Sequence, residues 1–218
     1  MHPGINGPKL KDKPAIIMAG SGDIITHQEL NELSNQGAQL FRSLGLKPGD
    51  SLAFMMENHK LFFPIAFAAY RSGLKYTAVS WRLQASEVEY IVKDCGAKVF
   101  ITSKFLEESA KSLVNSLEGV HKFMLDGITD DFKSYEKEIN NMSDAPIEDE
   151  CQGAAMLYSS GTTGKPKGVS REVNLSPLPY EAEEDDLGLT RVVQGLYSAD
   201  EDSVYLSPAP LYHSAPMG

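Results

Sequence analysis

Cysteine is scarce in this sequence. The two residues of this type, Cys95 and Cys151, lie far apart and form no Cys-x-x-Cys pair. This spacing argues against a disulfide framework and against a metal site built on thiolates. Two reduced thiols are ordinary in a protein of the cytoplasm, so we expect a cytoplasmic protein.

Positive charge is scarce as well. The formal net charge is −10, because 20 lysines and arginines stand against 30 aspartates and glutamates. A surface this acidic repels phosphate backbones, so we expect no nucleic-acid partner. An acidic protein can still bind a nucleotide, but it then needs a local cluster of hydrogen-bond donors and cations.

Long apolar runs are also missing. The longest, around residues 61–70, is too short to span a bilayer, so we expect no transmembrane segment. The first residues lack the charged-then-apolar pattern of a secretory signal. The 218 residues are 42% apolar and 23% charged, which is typical of a globular protein with a sizeable core.

Predicted strands and helices alternate along residues 15–125. Thr26 and Glu29 fit a capping box that opens a helix, and Ser86 and Glu89 fit a second one. Asn58 is a candidate cap for a third helix. Strands are expected near residues 15–19, 24–25, 52–56, 76–80, 99–102 and 122–125, and helices near 26–44, 58–71, 86–95 and 105–117. This alternation predicts an α/β fold, with a mostly parallel sheet flanked by helices.

Two acidic stretches depart from this alternation. Residues 130–150 are polar and weakly periodic, and we expect a surface helix followed by a connector. Glu181–Asp186 is interpreted as a solvated loop. A metal site there is the weaker interpretation, because a run of acids without turn glycines resembles no ion-binding loop.

The segment after the connector carries the most specific pattern. Residues 154–158 are expected to form a buried strand that leads directly into a loop rich in small, hydroxylic and basic residues. A polyphosphate needs backbone N–H groups directed into one concave loop, together with hydroxyl donors and cations. Gly161 and Gly164 allow the turn, Lys165 and Lys167 supply charge, and the hydroxyls are those of Ser159, Ser160, Thr162 and Thr163. The pattern predicts a phosphate-binding loop.

This loop is not a Walker A motif. Gly164-Lys165 is followed by Pro166 rather than by serine or threonine, and Ser159 stands where the first glycine of that motif belongs. The usual interpretation as a mononucleotide hydrolase therefore fails. From composition alone, a flexible surface turn of glycine, serine and threonine with incidental lysines stays open as the alternative.

Residues 158–169, Tyr-Ser-Ser-Gly-Thr-Thr-Gly-Lys-Pro-Lys-Gly-Val, closely resemble the signature loop of the adenylate-forming superfamily. That group includes acyl-CoA synthetases, firefly luciferase and the adenylation domains of peptide synthetases. Ser159 departs from the threonine of many relatives but keeps the hydroxyl. Lys47–Asp50, Trp81–Leu83 and Asp94–Lys98 also resemble the opening half of that family. The resemblance implies the first part of the large N-terminal domain of an adenylate-forming enzyme.

The resemblance implies an acid–thiol ligase reaction. Family members join a carboxylic acid to AMP and release pyrophosphate, and acyl-CoA synthetases then pass the acyl group to the thiol of coenzyme A. ATP, Mg²⁺ and coenzyme A are therefore the expected ligands, and a carboxylic acid, with a fatty acid favoured, is the expected substrate. The residues expected to hold the phosphates are Ser159, Ser160, Gly161, Thr162, Thr163, Gly164, Lys165 and Lys167, with Ser160 also a candidate Mg²⁺ ligand.

A second motif lies near the end of the sequence. Leu206–Ala215 resembles the family's Pro-Leu-aromatic-His segment, which implies that Tyr212 and His213 border the acyl pocket. From the residues alone, a histidine packed for structural reasons is the alternative. Residues 170–202 fit the family less well, because Ser170-Arg171-Glu172 stands where relatives often carry a basic or histidine pair. This departure bears on the substrate rather than on the family.

The resemblance also implies a domain organisation. Residues 1–150 are expected to form an α/β subdomain with the acidic connector at its end, and residues 151–218 the start of a second α/β subdomain with the phosphate-binding loop. The C-terminal half and the small lid domain of full-length relatives are absent, so we expect this chain alone to be inactive. Two alternatives stay open: a non-catalytic nucleotide- or phosphate-binding module, and an interaction fragment that self-associates or takes a partner chain through an exposed sheet edge.

Overall fold

The computed structural model describes residues 2–159, 166–169, 172–178, 194–198, 200 and 202–213. The helices within these ranges are α1 Pro3–Lys9, α2 His27–Ser43, α3 Phe62–Arg71, α4 Ala85–Asp94, α5 Glu107–Leu113 and α6 Tyr135–Asn140. The strands are β1 Pro14–Ile17, β2 Ile24–Thr26, β3 Ser51–Met55, β4 Lys75–Val79, β5 Ala97–Ser103, β6 His121–Leu125, β7 Lys133–Ser134, β8 Cys151–Gln152, β9 Ala154–Ala155, β10 Leu157–Ser159, β11 Lys167–Val169 and β12 Asn174–Pro177. Short 3₁₀ turns, Lys104–Leu106 and Val114–Ser116, flank α5.

Six strands form one parallel sheet in the order β7-β6-β5-β3-β4-β9. Parallel neighbours need long crossovers, and α3, α4 and α5 supply them between β3 and β6. The predicted α/β fold with a mostly parallel sheet is confirmed. Three two-stranded antiparallel ribbons surround the sheet: β1 with β2, β10 with β11, and β8 with β12.

The sheet separates two hydrophobic cores. All five residues of β3 are buried, and alternate residues face opposite sides. Leu52 and Phe54 belong to the core that includes Phe41 of α2 and Phe62 of α3. Ala53 and Met55 belong to the other core, which includes side chains of α4 and α5: Val88, Ile91, Ala110 and Leu113. Both faces of the central strand are thus covered, as expected for a parallel sheet.

The helix starts show which local predictions hold. At the start of α2 the Thr26 hydroxyl accepts from the Glu29 N–H (3.2 Å), and the Glu29 carboxylate accepts from the Thr26 N–H (2.8 Å), so this capping box is confirmed. The second predicted box is wrong by two residues. Glu87 accepts from the Gln84 N–H at 2.9 Å, whereas Glu89 pairs with Lys93 one turn further along.

Three further predictions are corrected by the structure. Helix α3 begins at Phe62, with Leu61 as its N-cap and no side-chain cap. Asn58 does not cap it, because its side chain bonds the backbone of Ala209 and Leu211 instead. The strand predicted at 154–158 is divided into β9 and β10, and its residues are half-buried. The helix predicted at 105–117 is regular only over α5.

The acidic stretch 130–150 behaves as predicted: α6 is followed by a connector. Residues 194–197 form a helical turn, while Glu181–Asp186 lies outside the described residues. Among the described helices, none is long and apolar enough to cross a membrane.

Candidate functional site

The predicted phosphate-binding loop is closed by a β-hairpin. Strands β10 and β11 pair antiparallel, with Ser159 opposite Lys167 and Tyr158 opposite Gly168. The two ends of the loop therefore meet at its base, and Lys167 is exposed there. The six residues between Ser159 and Pro166, which include Ser160 and Lys165, lie outside the described residues. Their phosphate contacts stay a prediction.

Tyr158 connects the base of the hairpin to helix α4. Its hydroxyl donates to a carboxylate oxygen of Asp94 at 2.6 Å. Burial raises the pKa of Tyr158 far above its usual value, and the hydrogen bond to Asp94 acts in the same direction. The phenol is thus neutral and acts as a donor at every ordinary pH.

Gly168 lies under the Tyr158 ring. A Cβ atom at Gly168 would lie 2.9 Å from Cζ of Tyr158 and 2.4 Å from Cε of Met156. A side chain at this position would have to displace the ends of the Met156 and Tyr158 side chains, so the glycine lets the Tyr158 ring approach the opposite strand.

The hairpin is carried by a short extension of the main sheet. Strand β9 pairs with the start of β4, and the Met156 N–H then donates to the carbonyl of Tyr76 at 2.8 Å. The chain enters β9 through Gly153, where a Cβ atom would lie 2.4 Å from the carbonyl oxygen of Leu74. Sequence patterns predict a loop at the end of a sheet strand. The strand that leads into the loop is divided, and its last part, β10, belongs to a separate ribbon that leaves the sheet beside the C-terminal end of α4.

A buried ion pair holds the connector just before this extension. Arg71, at the end of α3, is 1% exposed and donates to Glu150. Its other donors reach the carbonyl and side chain of Asn31 (3.1 and 3.2 Å) and the hydroxyl of Ser34 (2.8 Å). Burial lowers the pKa of Arg71 and raises the pKa of Glu150. The connector is thereby attached to α2 and α3 at one end of the segment that leads to the loop.

The second motif is attached to the sheet by Asn58. The side-chain oxygen of Asn58 accepts from the Leu211 N–H at 2.9 Å, and its amide donates to the carbonyl of Ala209 at 3.4 Å. Leu211 is buried in the core of α2 and α3. The rings of Tyr212 and His213 then lie 4.5 Å apart, with the histidine exposed. The two motifs are therefore held by different elements, one by the loop after β3 and the other by α4.

The described residues contain no cluster of three or more histidine, cysteine, aspartate or glutamate side chains that could hold a metal ion. The candidate Mg²⁺ ligand, Ser160, lies outside them. A magnesium ion bound through a hydroxyl and phosphate oxygens needs no such cluster.

Sequence patterns miss the residues that hold the two motifs. Asp94 and Tyr158 lie inside the segments that resemble the family, but nothing local indicates that they meet. A carboxylate at a helix C-terminus is electrostatically unfavourable, so the position of Asp94 at the end of a predicted helix is the one local sign that this side chain needs a hydrogen-bond donor. Asn58 resembled a helix cap, and its true partner lies 153 residues further along the chain.

Residues 6–218 match the family model described as "AMP-binding enzyme", so this chain belongs to the AMP-binding enzyme family. It is similar to a fatty acid–[acyl-carrier-protein] ligase, ScoC, of Streptomyces coeruleorubidus, with 29% identity over 72% of this chain and 29% of that protein. It is also similar to a feruloyl-CoA synthase of an Amycolatopsis species, with 28% identity over 90% of this chain and 36% of that protein. The chain thus spans about a third of these two relatives.

The fold is shared with solved structures. An inhibitor-bound N-terminal domain of FACL13 from Mycobacterium tuberculosis superposes with a TM-score of 0.73 at 22% identity, over 99% of this chain and 53% of that one. At this identity the likeness concerns the fold alone. The fold is that of the first part of the N-terminal domain of adenylate-forming enzymes.

Proposed function

We propose that this chain is the nucleotide-phosphate-binding N-terminal part of an AMP-forming acid–thiol ligase. The whole enzyme joins a carboxylic acid to AMP, releases pyrophosphate and passes the acyl group to a thiol. The observation that supports this most is the pairing of Ser159 with Lys167, which closes a loop of hydroxyl, glycine and lysine residues within the region matched by the family.

The chemistry of the first step suits such a loop. Negative charge develops on the transferred phosphorus and on the pyrophosphate leaving group, and fixed N–H groups, hydroxyls and lysines stabilise it. We assign the β- and γ-phosphates to residues 160–165 and to Lys167 at the base. Mg²⁺, held in part by Ser160, supplies further charge neutralisation when bound.

The acid and the acceptor are proposed from the relatives. A fatty acid is the substrate named for the ScoC ligase, and a coenzyme A thioester is the product named for the feruloyl-CoA synthase. We propose a fatty acid as substrate and coenzyme A as acceptor, with Tyr212 and His213 beside the acyl chain. Residues 151–218 would then begin a second subdomain, after residues 1–150. A cytoplasmic location is consistent with two free, buried cysteines.

The test is Mg-ATP binding by this chain, measured by calorimetry, together with ATP–pyrophosphate exchange over a panel of carboxylic acids. We expect binding without exchange. We expect Lys165→Ala to weaken binding about tenfold, since a charge-assisted phosphate contact is lost. Lys133→Ala is the matched control, because Lys133 is an exposed lysine in β7, at the opposite edge of the sheet from β9.

Each outcome has a distinct meaning. Equal weakening by Lys165→Ala and Lys133→Ala would show non-specific attraction and contradict the loop assignment. Exchange above background would show that adenylation needs nothing beyond this chain, and would identify the acid. A third outcome is tight Mg-ATP binding without exchange for any carboxylic acid. If adding the C-terminal sequence of a relative also fails to restore exchange, the alternative of a phosphate-binding module is favoured.

A further inference from the structure

Within the part of the chain that the structure describes, the hairpin that carries the phosphate-binding loop is attached to the rest of the protein by few backbone contacts. Strands β10 and β11 form their own two-stranded ribbon and are not members of the six-stranded sheet. Strand β9 contributes two residues of pairing with β4, and Lys167–Val169 is exposed throughout. Two-stranded ribbons are marginally stable alone, so the orientation of this ribbon relative to the main sheet depends on side-chain contacts.

Tyr158 makes the side-chain contacts that set this direction. Its hydroxyl reaches Asp94 on α4 at 2.6 Å, and its ring lies against Gly168 on the opposite strand. One side chain therefore links both strands of the ribbon to a helix. The ring also packs against the core that contains Val88 and Ile91 of α4.

Asp94 is a suitable anchor because α4 is rigid at this point. Val88, Ile91 and Val92 are each no more than 2% exposed, so the helix cannot shift without disturbing a core. Asp94 is the last residue of α4, where the helix dipole disfavours a negative charge. Two phenols offset this: Tyr158 at 2.6 Å, and Tyr90 from the same helix at 3.4 Å to the other oxygen.

On the basis of the proposed function, we infer that the hydrogen bond between Tyr158 and Asp94 is a tether that positions the phosphate-binding loop. Tyr158 and Asp94 are positioning residues for nucleotide binding. They act through the ribbon and not by contact with ATP. The loop then meets the phosphates in one orientation, so less conformational entropy is lost on binding.

The experiment compares Tyr158→Phe, Asp94→Ala and Asp94→Asn with wild type in the 218-residue chain. Tyr90→Phe is the matched control, because it removes the other phenol from the same carboxylate. Three quantities are measured: Mg-ATP affinity, deuterium uptake of the backbone amides of residues 154–169, and the midpoint of global unfolding in urea.

We expect Tyr158→Phe and Asp94→Ala to weaken Mg-ATP binding about tenfold and to speed amide exchange in the ribbon about tenfold. Asp94→Asn should keep most of the wild-type Mg-ATP affinity and most of the wild-type protection of the ribbon amides, because the asparagine side-chain oxygen still accepts a hydrogen bond from the Tyr158 hydroxyl. Tyr90→Phe should change neither quantity. The unfolding midpoint should stay close to wild type in all four variants, because neither core is altered.

Two results would overturn the tether. One is a lowered unfolding midpoint with unchanged affinity and exchange, which would mean a purely structural role. The other is an equal effect of Tyr158→Phe and Tyr90→Phe. If the wild-type chain binds no Mg-ATP, the proposed function fails, and the tether is then judged by the exchange rates alone: unchanged exchange rejects it, and selective acceleration supports it.

Discussion

Arg71 is a charge placed where water cannot reach it. Its side chain is 1% exposed, and that of its partner Glu150 is 6% exposed. Burial shifts both pKa values towards the neutral forms, so desolvation outweighs the mutual attraction of the two charges. Such a pair contributes little net stability, yet each partner depends on the other because a lone buried charge is very costly.

Replacing one partner should therefore destabilise the protein more than replacing both. We expect Glu150→Leu to lower the free energy of unfolding by about 3–5 kcal/mol, because Arg71 loses its counter-charge. The double change Arg71→Met with Glu150→Leu should cost less than Glu150→Leu alone, because no unpaired charge is then left buried. Urea unfolding of the three variants measures this.

The neighbouring pair Arg42–Asp149 is the control for this prediction. The Asp149 side chain is 57% exposed, so Asp149→Ala should cost less than ~1 kcal/mol. If the losses of unfolding free energy caused by the Arg71 and Glu150 changes simply add in the double variant, the two side chains are not energetically coupled and the prediction is wrong.

At the scale of elements, α1 depends on a histidine that must stay neutral. Nδ1 of His2 accepts from the Gly4 N–H at 3.1 Å at the start of this helix. Burial, and then the charge of Arg71, lower the pKa of His2 from 6.5 to about 3. Protonation would place a hydrogen on the accepting nitrogen and a charge in a buried site. A group whose folded pKa is depressed in this way favours the folded state above its ordinary pKa.

Acidification should therefore release α1 from α2. Between pH 7 and pH 5 we expect its local stability to fall by about 2 kcal/mol, since the neutral form is favoured only in the docked state. The window begins near pH 6.5 and extends towards 3. Deuterium exchange of residues 3–10 at the two pH values measures the release. The variant His2→Asn keeps a cap without a titrating ring, and an equal response in that variant would contradict the role of His2.

Local signals predicted elements better than they predicted contacts. The Thr26–Glu29 box was readable because both partners lie within one helical turn, and the alternation of strands and helices gave the parallel sheet. The box at Ser86 was misplaced because Gln84 and Glu87 offer the same spacing two residues earlier. Asn58 was misread because its partners, Ala209 and Leu211, are distant in sequence.

The same limit applies to the candidate site. Composition and resemblance indicated the loop and both of its ends, Ser159 and Lys167. They could not indicate that the loop would be carried by a separate ribbon held through Asp94, because a hydrogen bond across 64 residues leaves no local pattern.

At the scale of the whole molecule, several large apolar side chains of the described residues are exposed to solvent. Val204, Tyr205 and Leu206 follow one another in a segment without assigned secondary structure, and each is more than 70% exposed. Ile17 and Ile24 face each other across the ribbon of β1 and β2 and are about half exposed. Contiguous exposed apolar residues of this kind mark association surfaces.

We therefore expect concentration-dependent self-association. Sedimentation velocity over a hundredfold range of protein concentration should show a rising average mass. Leu206→Lys should shift that rise to higher concentration, because a charge would have to be desolvated in the contact. Phe105→Lys is the control, since Phe105 is 68% exposed but packs singly against Trp81. A constant monomer mass would reject the prediction.

The connector after α6 has a further consequence. Asn35, Gln36 and Gln39, all on α2, donate their side-chain amides to backbone carbonyls of residues 142, 144, 145 and 146. A carbonyl is common to every amino acid, so at residues 144–146 helix α2 binds the backbone of the connector through groups that do not depend on the side chains there. Substitutions at Asp144 and Ala145 should therefore leave the path of the connector unchanged, whereas Asp149 and Glu150 are held through their side chains.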